Sequence, residues 1–356
     1  MNNSFVMYRL PHETTCTIMR QCDGGAEVLP SYTDLNGRTG FVFSPFVMSA
    51  EHPLLLIRPD EVKQCEFVND YEPDPVVLSN RDIDNEMRQY ETDFVKFHSQ
   101  LLGGDFKKIV LARCCEEKSY SQISPRKIFM RACLMYPNEF VALVSTPDCG
   151  IWLMATPEIL VEGHNDEWHT MALAGTRRTD GLKTVDNHEK GTGVCCEWDE
   201  KNIREQQYVA EYIRDCLSCF SSEINETLPN TLKAGKLMHI VTYFNFKLKE
   251  KNNIGHLVEA LHPTPAVCGL PKEKVYKFIL NNESGDRRYY SGFSGPLNCD
   301  GTTHLFVTLR CMQIDGSRCR LYAGGGLLSE SDVKTEWLET EAKMDTMRRC
   351  LAIKRI

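Results

Sequence analysis

HLFVTLRCMQIDGSRCRLYAGGGLLSESDVKTEWLETEAK, residues 304–343, sets two apolar runs on either side of the turn DGS, then a glycine run, then a charged segment. Two strand-like runs joined by a short turn read as an antiparallel hairpin. EWLETEAK, 336–343, reads as a helix that carries three glutamates and a lysine. At about 100° per residue, Glu336, Glu339 and Lys343 lie within roughly 60° of one another. They border an apolar arc of Trp337, Met344, Met347 and Leu351, whereas Glu341 points elsewhere. By itself this is an ordinary amphipathic helix with an i,i+4 Glu–Lys pair, worth a few tenths of a kcal/mol.

Working outward, other strands also follow one another without helical crossovers: KKIVLARC, FVALVST, IWLMATPEILVEG and WHTMALAGT. That order favours an α+β fold with mostly antiparallel sheets over a doubly wound one. One helix fits NEMRQYETDFVKFHSQLLGG, where Met87, Tyr90, Phe94, Phe97 and Leu101 recur at helical steps and Gly103-Gly104 ends it. A single domain over 1–356 is expected, because no Pro/Ser-rich linker interrupts the chain. The first eighty residues read only as short strands and turns.

The chain has 356 residues and a net charge of −8, which argues against a nucleic-acid partner. No apolar run is long enough to span a bilayer, and MNNSFVMYRL does not resemble a signal peptide, so a cytoplasmic protein away from membranes is expected. Sixteen scattered cysteines include the adjacent pairs Cys114-Cys115 and Cys195-Cys196 and the close pair Cys216 and Cys219. Without a second pair at zinc spacing, they read as small buried hydrophobes.

A second helix fits 197–220, with Val209, Tyr212, Ile213, Cys216, Leu217 and Phe220 forming an apolar stripe. Four residues back from Val209, the same stripe reaches Glu205. A carboxylate on a buried stripe requires a partner. An arginine or a helix N-terminus would serve; so would a hard divalent cation shared with Glu339 and Glu336.

Five stretches, KIVLAR (108–113), ATPEILVEG (155–163), ALAGTRR (172–178), LHPTPAVCGLPKEKVYKFI (261–279) and AGGGLLSESDVKTEWLETEAK (323–343), occur in this order. In order and content they resemble the chorismate-utilising enzymes, from about Lys108 to Lys343; the first hundred residues do not share in the likeness. The resemblance implies two large, mostly antiparallel sheets sandwiched between helical layers. It implies a Mg²⁺-dependent attack on chorismate, a ring diacid, with loss of the C4 hydroxyl. Glu205 and Glu339 would hold the metal, with Glu336 close by. Lys108 would be the general base that takes a proton from water attacking C2, a role that needs its amine partly unprotonated near neutral pH. Glu158 would be the general acid for the leaving hydroxyl.

Ala174 stands where some members keep a nucleophilic lysine, so a covalent route is not expected. Gly175 and Thr176 would contact substrate, as would His262. Tyr290, Arg310 and the N–H groups of Gly324 and Gly326 would bind the enolpyruvyl carboxylate, and Lys343 would neutralise charge beside the metal. Asn202, Gln206 and Arg288 depart from the commonest residues of the family. The implied activity is that of an isochorismate synthase, with menaquinone synthesis favoured over a siderophore route and no obligatory protein partner. The alternatives are a salicylate synthase, which goes on to eliminate pyruvate, and a non-catalytic chorismate-binding relative.

Overall fold

A computed structural model describes residues 4–66, 76–79, 81–178, 198–250, 253–351 and 353–354. The Cys195-Cys196 pair lies outside the described residues. Six α-helices occur among them: α1 (Ile83–Leu102), α2 (Pro125–Met135), α3 (Glu200–Phe220), α4 (Ile254–Leu261), α5 (Lys272–Asn282) and α6 (Val333–Cys350). Three begin at an aspartate whose carboxylate accepts a free N–H of the first turn: Asp82 from Asn85, Asp199 from Asn202 and Asp332 from Thr335.

Two large antiparallel sheets dominate. The first has nine strands, running Gly269–Leu270, Lys108–Lys118, Arg318–Leu327, Cys311–Asp315, Gly150–Thr156, Phe140–Thr146, Ser4–Arg9, Thr15–Gln21, Glu61–Glu66. The second has ten. Its main path runs Ser221–Glu226, Leu237–Leu248, Glu167–Arg178, Ile159–His164, Thr302–Val307, Phe293–Leu297, Gly40–Ser44, Leu54–Ile57, Glu27–Leu29. Asn230–Ala234 also pairs with Leu237–Leu248.

The buried clusters define the layers. Phe43, Phe140, Trp152, Met154, Phe306 and Tyr322 from both sheets meet in one core. Phe140 stacks on Phe306 at 4.3 Å and Phe43 on Tyr289 at 4.2 Å. Val209, Ile213 and Leu217 of α3, with Leu257 and Leu261 of α4, cover the outside of the second sheet. Phe129 of α2 and Met344 and Met347 of α6 cover the first. The result is helices, sheet, sheet, helices, as the resemblance implied.

Two stretches that read as single strands are each broken. IWLMATPEILVEG splits at Pro157-Glu158: Gly150–Thr156 stays in the first sheet and Ile159–His164 enters the second. HLFVTLRCMQI splits at 308–310 and crosses in the opposite direction. The hairpin around DGS therefore begins only at Cys311, and its turn uses Gly316 at φ +60°. The two crossings run side by side, with Val307 N–H donating to Glu158 O (2.9 Å) and Ala155 N–H to Arg310 O (3.1 Å).

Candidate active site

The crossings open a cleft of about 590 Å³ between the sheets. Because strands leave their sheets here, Glu158 and Arg310 project from irregular backbone into the gap rather than from a paired strand. Arg310 holds φ +45°, a conformation that a residue with a long side chain adopts only under constraint. A wider space of about 1240 Å³ sits elsewhere between the sheets, lined by Tyr8, Thr15, Thr17 and Thr302 among others. The narrower cleft is the chemically equipped one, with convergent cations and a buried acid.

Glu158 is buried, and burial pushes its carboxyl up to about 8 although Lys108, Arg310 and Lys343 pull the other way. It therefore keeps its proton at neutral pH beside three cationic groups. The Arg310 guanidinium is buried and donates to His239 Nε2 (2.9 Å). His239 Nδ1 lies 3.0 Å from Gly175 O, so this nitrogen carries the ring proton and Nε2 accepts. Burial, Arg310 and Lys343 keep the imidazole neutral, well below its ordinary pKa.

Gly175 takes φ +73° at an irregularity in its strand, and a Cβ there would meet Asn202 at 3.1–3.2 Å. Asn202 holds that turn: its Oδ1 accepts from Thr176 N–H (2.9 Å) and its Nδ2 donates to Asp199 (2.7 Å). Gln206 ties α3 to the sheet through Ala172 O (3.1 Å) and Thr242 Oγ1 (3.0 Å).

Two carboxylates, Glu205 of α3 and Glu336 of α6, approach the glycine strand, Glu339 follows on α6, and each of the three is paired with a lysine. Glu205 of α3 meets Lys108 at 2.9 Å, Glu339 meets Lys343 at 2.7 Å, and Glu336 accepts from Lys201. Glu336 also accepts from Ser331 Oγ (2.7 Å), while its Oε2 is buried without a hydrogen-bond partner. Burial and the neighbouring Glu339 push Glu336 up to about 7; for Glu339 the effect of burial is outweighed by Lys343, which holds its pKa down. Gly326 is required by contact: a Cβ there would lie 2.1 Å from Glu205 Oε1 and 3.0 Å from Lys108 Cε.

The family model described as chorismate binding enzyme matches residues 55–352. This chain belongs to the chorismate-binding enzymes. Isochorismate synthase EntC of Escherichia coli strain K12 is 29% identical over 241 residues, 67% of this chain and 61% of that protein. The salicylate biosynthesis isochorismate synthase of Pseudomonas aeruginosa is 31% identical over 269 residues, 75% of this chain and 55% of the other. The match thus spans under two thirds of either relative. A crystal structure described as a putative 2,3-dihydroxybenzoate-specific isochorismate synthase, DhbC from Bacillus anthracis, has a TM-score of 0.81 at 25% identity, with 99% of this chain and 97% of that chain covered.

In this chorismate-binding enzyme the cleft is lined by Glu158, Ala174, Gly175, Thr176, Glu205 and Arg310, and also by Tyr290, Gly324, Gly326 and Lys343. Lys108 is fully buried behind Glu205. His262 lies outside the cleft, edge-on to Tyr32 (5.4 Å) and Phe293 (5.1 Å), and burial pulls its pKa down to about 3. The histidine that does reach the cleft is His239. Its sequence signal was a lone imidazole in the apolar strand LMHIVTYF, which needs polar partners when buried.

No three His, Cys, Asp or Glu side chains converge at metal-holding distances among the described residues. The donor chemistry nevertheless fits a hard divalent cation: Glu205, Glu336 and Glu339 are oxygen donors, and Glu336 Oε2 is buried and unsatisfied. The described cysteines form no disulfide, and no described helix is long and apolar enough to cross a membrane.

Proposed function

We propose that this protein is an isochorismate synthase. The observation that carries the reading is Glu158: a carboxylic acid protonated at neutral pH, held at a sheet crossing in a cleft whose other charged groups include a guanidinium and an ammonium. Such a site suits a dianionic substrate that loses a hydroxyl. In this reading Arg310 grips one substrate carboxylate through its two-pronged donor face, which His239 orients from behind. Glu158 protonates the departing C4 oxygen, which leaves as water. Lys108, once it has released Glu205 and given up its own proton, removes a proton from the water adding at C2, and the ring double bonds shift between those carbons. Mg²⁺, held by Glu205 and Glu339 with Glu336 beside them, would supply positive charge for the ring carboxylate. Lys343, which also donates to Gly324 O (2.8 Å), keeps the glycine strand and Glu339 in register.

The similar proteins support the activity by name. Both a menaquinone-specific structure (20% identical) and a vibriobactin-specific relative (26%) match, so the proposal stops at isochorismate and leaves the favoured menaquinone route as an expectation. The test is incubation of the purified protein with chorismate, with Mg²⁺ or with EDTA, followed by liquid chromatography. A Mg²⁺-dependent product of unchanged mass and new retention time is the expected result. Salicylate plus pyruvate would replace this reading with a salicylate synthase, and no conversion by a folded, chorismate-binding sample would leave a binding protein.

A further inference from the structure

Each of the three candidate metal-facing carboxylates is matched by one ammonium of this chain, so the cluster is already balanced in charge. Lys201 stands apart from the other two lysines by its position. It occupies the first turn of α3, four residues before Glu205 and on the same helix face, and it reaches across to Glu336 at the start of α6. Its side chain is 24% exposed, whereas that of Glu336 is 1% exposed. Burial works against the Lys201 charge, but Glu336, Glu205 and Glu339 together outweigh it and hold its pKa up. One ammonium thus feels all three carboxylates. Only one oxygen of Glu336 is engaged, by Lys201 and Ser331; the other is buried and unsatisfied.

We propose that Lys201 is a tethered counter-ion of the metal centre, which occupies the carboxylates in the metal-free protein and withdraws toward solvent when a divalent cation binds. This rests on the metal reading given above. A carboxylate as buried as Glu336 does not stay ionised without compensation, so some cation must hold it before the metal arrives. A lysine suits that task, since its long stem lets the charged end move between a buried partner and water. An ammonium and a divalent cation at the same carboxylate repel strongly, so binding the metal includes breaking the Lys201–Glu336 pair. Removing the ammonium therefore strengthens metal binding in the free protein. A lysine that merely props the helix would weaken binding when removed.

The experiment titrates the purified full chain, without chorismate, with Mn²⁺ at about pH 8 and follows the free-ion EPR signal; Mn²⁺ shares the oxygen preference of Mg²⁺. Lys201→Met is expected to bind Mn²⁺ at least ~10-fold more tightly than the unaltered protein. Lys201→Arg keeps the charge and should bind like the parent. Lys334→Met, which removes an exposed lysine near the same end of α6, should leave affinity unchanged. If Lys201→Met does not fold, Lys201→Gln gives the same reading. Equal or weaker binding by the uncharged variant overturns the proposal, as does equal tightening by Lys334→Met. If the unaltered protein and every variant fail to bind Mn²⁺, the metal reading itself falls and takes this role with it.

Discussion

Glu158, which lines the cleft, and Glu339, which pairs with the cleft-lining Lys343, show how differently two carboxylates of one protein behave. Burial dominates at Glu158 and keeps it protonated up to about pH 8; at Glu339 burial is outweighed by the adjacent Lys343 together with Lys201 and Thr176, which keep it ionised. The first is equipped to give a proton, the second to hold a cation. A general acid works while it retains its proton, so kcat/KM is expected to fall as pH rises past about 8. Glu158→Gln should lower kcat by ~10²–10⁴-fold and leave no such alkaline limb. Rate measurements on both proteins across the neutral to alkaline range check this. A variant with the same limb would assign it to another group. At this scale part of the cleft lining was legible: Glu158 lies in a short motif and Glu205 on a helical stripe, and both line the cleft. His239 was not, because its role depends on Gly175 and Arg310, which are 64 and 71 residues away.

At the scale of elements, the least legible features were the two crossings. Pro157 inside IWLMATPEILVEG was a usable warning, since proline interrupts a ladder. The other crossing, Thr308-Leu309-Arg310, contains neither glycine nor proline, and only tertiary packing forces Arg310 to φ +45°. Helix α6 was clear from its period, including that Glu341 lies on a different side from Glu336 and Glu339. What the period did not show is that Glu341 binds Arg81, Arg113 and Arg348, with Arg348 Nη1 at 2.9 Å, joining α6 to the segment before α1 and to the Lys108–Lys118 strand. Burial alone would raise the Glu341 pKa, but those arginines bring it down to about 2. A folded-state pKa below the unfolded value adds stability above about pH 4.5, and that stability is lost as pH falls through about 2. Glu341→Gln should therefore cost on the order of 3 kcal/mol at neutral pH, with the difference from the parent shrinking in acid. Urea unfolding at several pH values reads both effects; a gap that stays constant into acid would contradict the assignment.

For the molecule as a whole, the N-terminal strands that matched no motif turn out to complete both sheets. Ser4–Arg9 pairs with Phe140–Thr146, and Gly40–Ser44 pairs with Phe293–Leu297. Their partners are more than a hundred residues distant, so local patterning in short strands could mark them as strands but not place them. One buried ion pair fastens this distant chain to the cleft. Arg287 donates to Glu283 (2.6 and 2.7 Å), to Val267 O (2.7 Å) and to Val110 O (2.9 Å), and lies 4.3 Å over the Phe46 ring. Glu283 in turn accepts from Ala112 N–H (2.7 Å). Val110 and Val267 both line the cleft, so this pair sets the distance between two of its walls. Removing one member leaves a buried charge without compensation, so Arg287→Ala should destabilise by about 3–5 kcal/mol. Arg287→Lys restores a charge but not the fork that spans three acceptors, and should recover only part of the loss. Arg288→Ala, beside it but half-exposed, should cost far less. Unfolding midpoints for the three variants, measured together with chorismate affinity, test the argument. If Arg287→Ala were as stable as Arg288→Ala, the wall spacing would have to be set by the sheet ladders alone.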